Sequence, residues 1–250
     1  TGLLPTAEEY TQFAADTDPA KHGKFVDRLL ERKEFSEIWA MKWAELLMIR
    51  TTQIVSNKAA LVSALTCSGT FATWTNSAST KEDRPINCVT WYEAFAFCIW
   101  DGGRLPTEAQ WSYAATGGSE QRSHPWGAAL TDLNYAVYNC LQDGDMGGDN
   151  GCTPLDIIEV GQKPLGIGKW GQYDLFGNQG EWVRDYTNTF VTPCVDCIDL
   201  VPVAMELRTL RGYGYSGHVH PPLTDPDITN DRVGQPPDLV GDARGLRCAR

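Results

Sequence analysis

The segment 173–182 reads Tyr-Asp-Leu-Phe-Gly-Asn-Gln-Gly-Glu-Trp and places a carboxylate on either side of a Gly-Asn turn. A turn between Asp174 and Glu181 can bring oxygens from both side chains onto one cation. Calcium takes six to eight oxygen ligands and tolerates irregular mixtures of carboxylates and carbonyls. The segment therefore predicts a loop that binds a hard metal ion. The alternative is an Asp/Glu pair whose oxygens are satisfied by backbone amides.

A second acidic stretch, residues 143–151, has the composition of a hard-metal loop and lies between Cys140 and Cys152. It lacks the glutamate that completes an EF-hand pattern. Two interpretations therefore stay open, a second cation site and a solvated acidic turn joined at its base by the two cysteines.

His218 and His220 are two residues apart, so an extended backbone would place both imidazoles on one face. Such a pair can bind a transition metal. No third ligand is fixed nearby and two prolines follow at 221–222, which favours an exposed loop instead.

Two helices that could position this chemistry begin with a capping box, in which the side chains of the N-cap and the third helical residue exchange hydrogen bonds with backbone N–H groups. The pairs are Thr90 with Glu93 and Thr107 with Gln110. The apolar runs that follow, each ended by a Gly-Gly pair, are 94–100 and 111–115. We expect both helices to support the core.

Glu108 falls in the first turn of the second helix, where the helix dipole favours a carboxylate. We therefore expect it to be structural rather than catalytic. From Cys67 onward the chain is rich in Gly, Pro, Trp and Asn with short apolar runs, which indicates a loop-rich α+β domain.

The first sixty residues are predicted to be helical. Thr6 with Glu9 offers one N-cap, and Asp18 followed by proline offers another. Two apolar stripes at helical spacing follow, at Phe25, Val26, Leu29 and Leu30 and at Trp39, Trp43, Leu46 and Leu47.

Three motifs together resemble the formylglycine-generating enzyme (sulfatase-modifying factor) family over about residues 67–250. They are segment 173–182, the stretch Gly-Arg-Leu-Pro-Thr-Glu-Ala-Gln-Trp at 103–111, and Gly-Leu-Arg-Cys-Ala-Arg at 245–250. The resemblance implies an irregular α+β fold related to C-type lectin-like domains. Segments 27–30 and 39–47 resemble part of a bacterial domain of unknown function that accompanies cytochrome-type domains. We therefore divide the chain into a helical segment, 1–62, and a formylglycine-generating-enzyme-like domain, 63–250.

The same resemblance implies a calcium site formed by the side chains of Asp174 and Glu181 and the carbonyls of Gly177 and Gln179. It also implies a disulfide between Cys98 and Cys248. A possible second calcium site comprises Asn134, Tyr135, Asp143 and Asp145.

Catalysis in the family depends on two cysteines that bind copper as thiolates shortly after an Arg-Gly-Gly-Ser motif. Thiolates suit Cu(I), and hydroxyls or amides do not replace them. The matching stretch here, 211–222, has no cysteine, and the two expected positions fall near Gly217 and Pro222. We therefore expect calcium, no copper and no oxidase activity. Two alternatives stay open, an active oxidase that converts a sulfatase cysteine to formylglycine, and a chimeric join of two partial modules without a function of its own.

The chain has eight cysteines, and no histidine lies near those at 140, 152, 194 and 197 that could complete a zinc site with them. This favours disulfides and an oxidising, extracytoplasmic compartment. We assign all eight to disulfides, adding Cys67 and Cys88 to those named above. The sequence starts at Thr1 without a signal peptide, as expected of a mature protein or an excised fragment.

A net charge of −11, with no cluster of Lys and Arg, disfavours nucleic acid as a partner. No apolar stretch approaches the ~20 residues of a membrane helix. We expect a protein or glycan ligand instead. The surface that we predict for it comprises Tyr213, Tyr215, His218 and His220.

Overall fold

The computed structural model describes residues 7–21, 24, 67, 69–75, 77–127, 133–144, 151–189, 194–202, 206–217 and 232–250. The protein divides into two compact units, Thr1–Val55 and Ser56–Arg250.

In the first unit, helix α1 spans Ala7–Ala15 and begins directly after the predicted cap at Thr6. At the second predicted cap, Asp18 Oδ1 accepts a hydrogen bond of 2.8 Å from the backbone N–H of Ala20. The apolar stripes predicted between residues 25 and 47 lie outside the described residues.

The second unit contains a four-stranded mixed sheet in the order β3-β2-β1-β4. Its strands are β1 (Gly180–Tyr186), β2 (Arg208–Arg211), β3 (Arg232–Gln235) and β4 (Arg244–Leu246). Strand β1 is central, because it pairs antiparallel with β2 and parallel with β4. Strands β2 and β3 pair antiparallel. Short 3-10 helices lie at Gly69–Phe71, Gly118–Glu120, Pro154–Asp156 and Pro164–Gly166.

Helices α2 (Trp91–Trp100) and α3 (Glu108–Ala115) both begin with the predicted capping boxes. The hydroxyl of Thr90 accepts from the N–H of Glu93, and that of Thr107 accepts from the N–H of Gln110, at 3.2 and 3.1 Å. Both helix predictions are confirmed. Each helix starts at the residue after its cap, ahead of the apolar run, because the cap fixes the first turn. Both helices pack against β1.

Two buried tryptophans join β1 to α2 and to the residues just before it. The indole N–H of Trp91 donates to the carbonyl of Val183 at 2.7 Å, and that of Trp182 donates to Val89 at 3.1 Å. A buried indole that keeps its hydrogen bond adds a large apolar area to the core without leaving a donor unpaired. Strand β1 is therefore tied to the α2 region by two indole hydrogen bonds within one hydrophobic cluster.

All eight cysteines form disulfides. The bridges are Cys67–Cys88, Cys98–Cys248, Cys140–Cys152 and Cys194–Cys197. The bond between Cys98 and Cys248 joins α2 to the segment after β4 across 150 residues. Closing so long a loop stabilises a domain by ~2–5 kcal/mol. With its short helices, a small mixed sheet and long connecting segments, the second unit is the loop-rich α+β fold that the sequence predicts.

Candidate functional site

A cavity of about 420 Å³ opens beside the start of β1. Asp174, Gln179 and Glu181 line it together with Arg247. The structure therefore brings three of the four predicted calcium ligands to one cavity. The carbonyl of the fourth, Gly177, accepts a hydrogen bond of 2.8 Å from the N–H of Gln179.

The loop that positions these groups has a backbone that only particular residues can adopt. Gly177 has a φ of +84°, and a Cβ there would lie 2.1 Å from the carbonyl oxygen of Val137. Asp174 and Asn178 also have positive φ values, +55° and +62°. Aspartate and asparagine tolerate this region better than most residues. The close approach of the Val137 backbone therefore requires a glycine at position 177.

Glu181 is buried and fully engaged. Both of its carboxylate oxygens accept hydrogen bonds from Arg247, with distances of 2.7–3.0 Å. The indole N–H of Trp111 donates to Oε2 at 2.8 Å. A buried carboxylate is stable when a charged partner and further donors satisfy it, as here.

Asp174 is less well compensated than Glu181. Its Oδ2 accepts one hydrogen bond of 2.7 Å, from the backbone N–H of Gly161. Burial raises the pKa of Asp174 above its ordinary value, although Gly161 and Arg247 oppose that shift. Ionised Asp174 is therefore unfavourable in this cavity, and a bound cation would offset that penalty.

Three residues that line the same cavity each have a buried side-chain amide oxygen with no hydrogen-bond partner among the residues that the structure describes. These oxygens are Gln172 Oε1, Asn178 Oδ1 and Gln179 Oε1. Oxygen-rich surroundings suit a hard cation. Within the described residues, no three His, Cys, Asp or Glu side chains converge on a possible metal position. A calcium ion would therefore draw on Asp174, would share Glu181 with Arg247, and would complete its shell with amide or main-chain oxygens. With this set of ligands, the residues of the cavity fit a calcium ion.

A second buried charge cluster lies beneath α3. Glu108 contacts Arg211 at 3.0 Å and Arg232 at 2.7 Å, and the side chain of Arg211 is fully buried. The guanidinium of Arg211 also lies 4.8 Å from the ring centre of Trp111. Sequence reasoning missed these contacts, because Glu108 is more than 100 residues away from each arginine. The sequence indicated a structural role for Glu108, but no local signal marked Arg211 as its buried partner.

Residues 5–250 match the family described as the sulfatase-modifying factor enzyme 1-like domain. The chain belongs to this family. The match starts at residue 5, inside the helical segment 1–62, and our assignment of that segment to a separate module stays a prediction.

Similar proteins within the sulfatase-modifying factor family include the inactive C-alpha-formylglycine-generating enzyme 2 of Mus musculus. It is 29% identical over 68% of this chain and 50% of the mouse protein, so the chain spans half of that relative's length. The Bos taurus protein of the same name is 26% identical over 95% of this chain and 76% of its own. Among solved structures, Treponema denticola variable protein 1 matches 74% of this chain and 77% of that chain with a TM-score of 0.50 and 22% identity, which concerns the fold alone.

The second cation site that resemblance to this family implies is only partly described. Asp143 Oδ2 accepts a hydrogen bond from the hydroxyl of Thr153 at 2.7 Å. Asp156 Oδ1 accepts one from the backbone N–H of Gln142 at 2.8 Å. Tyr135 packs its ring 5.3 Å from that of Trp126. Asn134 lies beside it in sequence, and Asp145 is outside the described residues. This second site stays a prediction.

The predicted ligand surface is wrong at Tyr215. This side chain is only 2% exposed and stacks on Phe71, with ring centres 6.1 Å apart. The backbone N–H of Tyr215 donates to Asn178, which draws the segment after β2 under the Gly-Asn turn and into the core. Tyr213 is half-buried, with its ring edge against Phe176. His218 and His220 lie outside the described residues.

Proposed function

We propose that this sulfatase-modifying factor-type domain lacks the copper-dependent oxidase activity and serves as an extracytoplasmic binding or structural module. The observation that carries the proposal is that the cysteines are oxidised to disulfides. All eight cysteines are in disulfides, and the stretch 211–222 has none. No thiolate pair is left for Cu(I). The relatives named inactive support the same reading.

Calcium at Asp174 is the structural part of this proposal. The ion would neutralise a buried carboxylate that Arg247 leaves partly uncompensated, and it would use the unpartnered amide oxygens beside it. Its contribution is electrostatic, because Ca²⁺ fixes oxygen ligands and supplies no redox chemistry. The ion would therefore stiffen the loop that leads into β1.

Four disulfides in one domain support an extracytoplasmic location, since cytosolic reductants keep thiols reduced. In the part of the chain that the structure describes, no helix combines the length and the apolar character needed to cross a bilayer.

The ligand that we propose is a protein or a glycan. Tyr113 and Trp170 stack in parallel at 5.1 Å, and they are 60% and 46% exposed. Exposed, amphipathic aromatic rings of this kind recur at recognition surfaces.

Incubation with a Cys-x-Pro-x-Arg peptide under oxygen tests the loss of oxidase activity. The protein is loaded with copper, and the peptide is analysed by mass spectrometry for conversion of its cysteine to the aldehyde. We expect no aldehyde above the level of a copper-only control, with an active formylglycine-generating enzyme as the positive control. Copper-dependent turnover by this protein would contradict the proposal.

A further inference from the structure

The disulfide Cys194–Cys197 differs from the other three in its surroundings. Each of the others has one fully buried cysteine, at Cys88, Cys98 or Cys140. Cys194 is exposed and Cys197 is half-buried, and both lie in a segment without helix or strand. Solvent therefore reaches this bond, and exposed disulfides are the ones that exchange with thiols.

The Cys194–Cys197 bond also contributes least as a structural cross-link. Its cysteines are three residues apart, whereas the other pairs are separated by 12, 21 and 150 residues. The chain entropy that a disulfide removes from the unfolded state grows with the length of the loop it closes. Stabilisation of the fold is therefore a poor explanation for this bond.

Both cysteines line a second cavity, of about 650 Å³. One wall is the surface of α3 at Ala109, Ser112 and Tyr113, and Ile198 lies on the side of the disulfide. A cavity of this size and mixed polarity accommodates a small organic molecule or an amino-acid side chain. A thiol compound can therefore reach the sulfur atoms with the rest of its structure inside the cavity.

Carboxylates predominate around this cavity. Asp185 and Asp199 line it. Glu108, which also lines it, is paired with both Arg211 and Arg232, so that cluster contributes one net positive charge against these carboxylates and that of Asp196. Within the disulfide ring, Asp196 is exposed and accepts a hydrogen bond of 2.9 Å from Gln110 Nε2. This negative field repels an anionic thiol compound and attracts a cationic one.

We propose that Cys194–Cys197 is a thiol–disulfide exchange site that accepts neutral or cationic thiols. This inference is independent of the function proposed above. A thiolate attacks Sγ of the more exposed Cys194, a mixed disulfide forms, and Cys197 leaves as a thiolate. A second thiolate then attacks the outer sulfur and releases Cys194. In total, two thiols are oxidised to one disulfide, and their two electrons and two protons pass to Cys194 and Cys197.

Timed reduction of the native protein tests the site. Cysteamine is added at low ionic strength, samples are quenched with acid and alkylated, and peptide mass spectrometry follows each cysteine. We expect the 194 and 197 thiols to appear ~10-fold faster than any other pair. Opening of all four disulfides at one rate, or earlier opening of another pair, would overturn the inference.

A comparison of thiols of opposite charge gives a second, independent test of the site. Rates per thiolate are compared for cysteamine and 3-mercaptopropionate, at low and high salt. We expect a preference of ~3-fold or more for cysteamine that shrinks as salt screens the carboxylates. The variant Asp196→Asn should reduce this preference while keeping an acceptor for Gln110. An equal rate for both thiols at every salt concentration would contradict the proposed selectivity.

A cysteine peptide flanked by lysines distinguishes the source of the thiol. A rate per thiolate above that of cysteamine supports a polypeptide substrate, and a lower rate supports a small thiol. As a control, the double variant Cys194→Ser/Cys197→Ser should lose the fast phase and keep the three slower disulfides. Retention of a fast phase in that variant would assign it to another bond.

Discussion

Asp174 and Glu181 line the same cavity with very different compensation. Glu181 has a guanidinium and an indole N–H, whereas Asp174 has one backbone N–H. Buried charges are retained when partnered, and an incompletely partnered one costs stability. Asp174 is therefore the residue at which a cation would act most strongly.

Calcium removal should destabilise the protein through Asp174. At a calcium concentration ~100-fold above the dissociation constant, binding to the native state adds ~2.7 kcal/mol. We expect chelation to lower the melting temperature of the wild type and to leave Asp174→Asn unchanged. The exposed Asp238 provides the control, because Asp238→Asn should respond to chelation like the wild type. Equal melting of the wild type with and without calcium would exclude the ion.

The pH dependence without calcium gives a second test of Asp174. Its pKa is raised in the folded state by burial, so the folded protein binds more protons there than the unfolded chain does. Stability should therefore fall as pH rises from the ordinary aspartate pKa through the raised one. Asp174→Asn should lack this fall, which a comparison of urea unfolding across that pH range would show. A parallel pH profile for both proteins would contradict the assignment.

The buried cluster at Glu108 predicts a large effect of a single substitution. Glu108→Ala leaves Arg211 and Arg232 without their carboxylate, and breaking a buried ion pair in this way costs ~3–5 kcal/mol. The matched control is Glu120→Ala, since Glu120 pairs with Arg122 and Lys169 at the surface. Chemical denaturation should show a large loss for the first variant and little change for the second. Similar losses would show that Glu108 has no special role.

At the scale of elements, the sequence predicts local structure well and pairing poorly. Helices α2 and α3 are each predicted from a capping box, whose two residues are three positions apart in the sequence. Both helices form as expected. Strand β1 was not predicted, and Glu181, which we placed at the end of a loop, is its second residue. Its strand character comes from pairing with β2 and β4, which lie more than 20 residues downstream. Likewise, no local pattern reveals that Tyr215 is buried.

The turn before β1 should tolerate no side chain at Gly177. In Gly177→Ala the new Cβ would clash with the Val137 carbonyl, in addition to the strain of a positive φ. Gly171 also has a positive φ, +91°, but open space around its Cβ position. Gly171→Ala should therefore cost about 1 kcal/mol, and Gly177→Ala should cost ~2 kcal/mol more, measured by urea unfolding. Equal losses of stability in the two variants would show that the Val137 backbone moves to accommodate the new side chain.

At the scale of the molecule, one disulfide, Cys98–Cys248, joins distant parts of the second unit. Removing Cys98–Cys248 as the double serine variant should destabilise the domain by ~2–5 kcal/mol, because this bond closes a loop of about 150 residues. The variant Cys194→Ser/Cys197→Ser is the control and should melt close to the wild type. Calorimetry would show the difference, and a larger loss in the control would contradict the roles assigned to the two bonds.

The identity of the family could be predicted from three short motifs, but the charge network behind them could not. The Arg-Cys pair near the C-terminus supplies a disulfide to α2 and a guanidinium to Glu181, contacts that join chain segments 66 and 150 residues apart. Such contacts depend on topology rather than on local sequence. The conclusion on chemistry relied instead on a local absence, the missing cysteines at 211–222.

Titration of the native, unreduced protein with Cu(I) tests the central claim most directly. Free thiols are counted after denaturation without reductant, and Cu(I) is titrated against a chromophoric chelator. With every cysteine sulfur in a disulfide, we predict no free thiol and no Cu(I) withdrawn from the chelator. Two free thiols per chain together with one tightly bound Cu(I) would contradict the account.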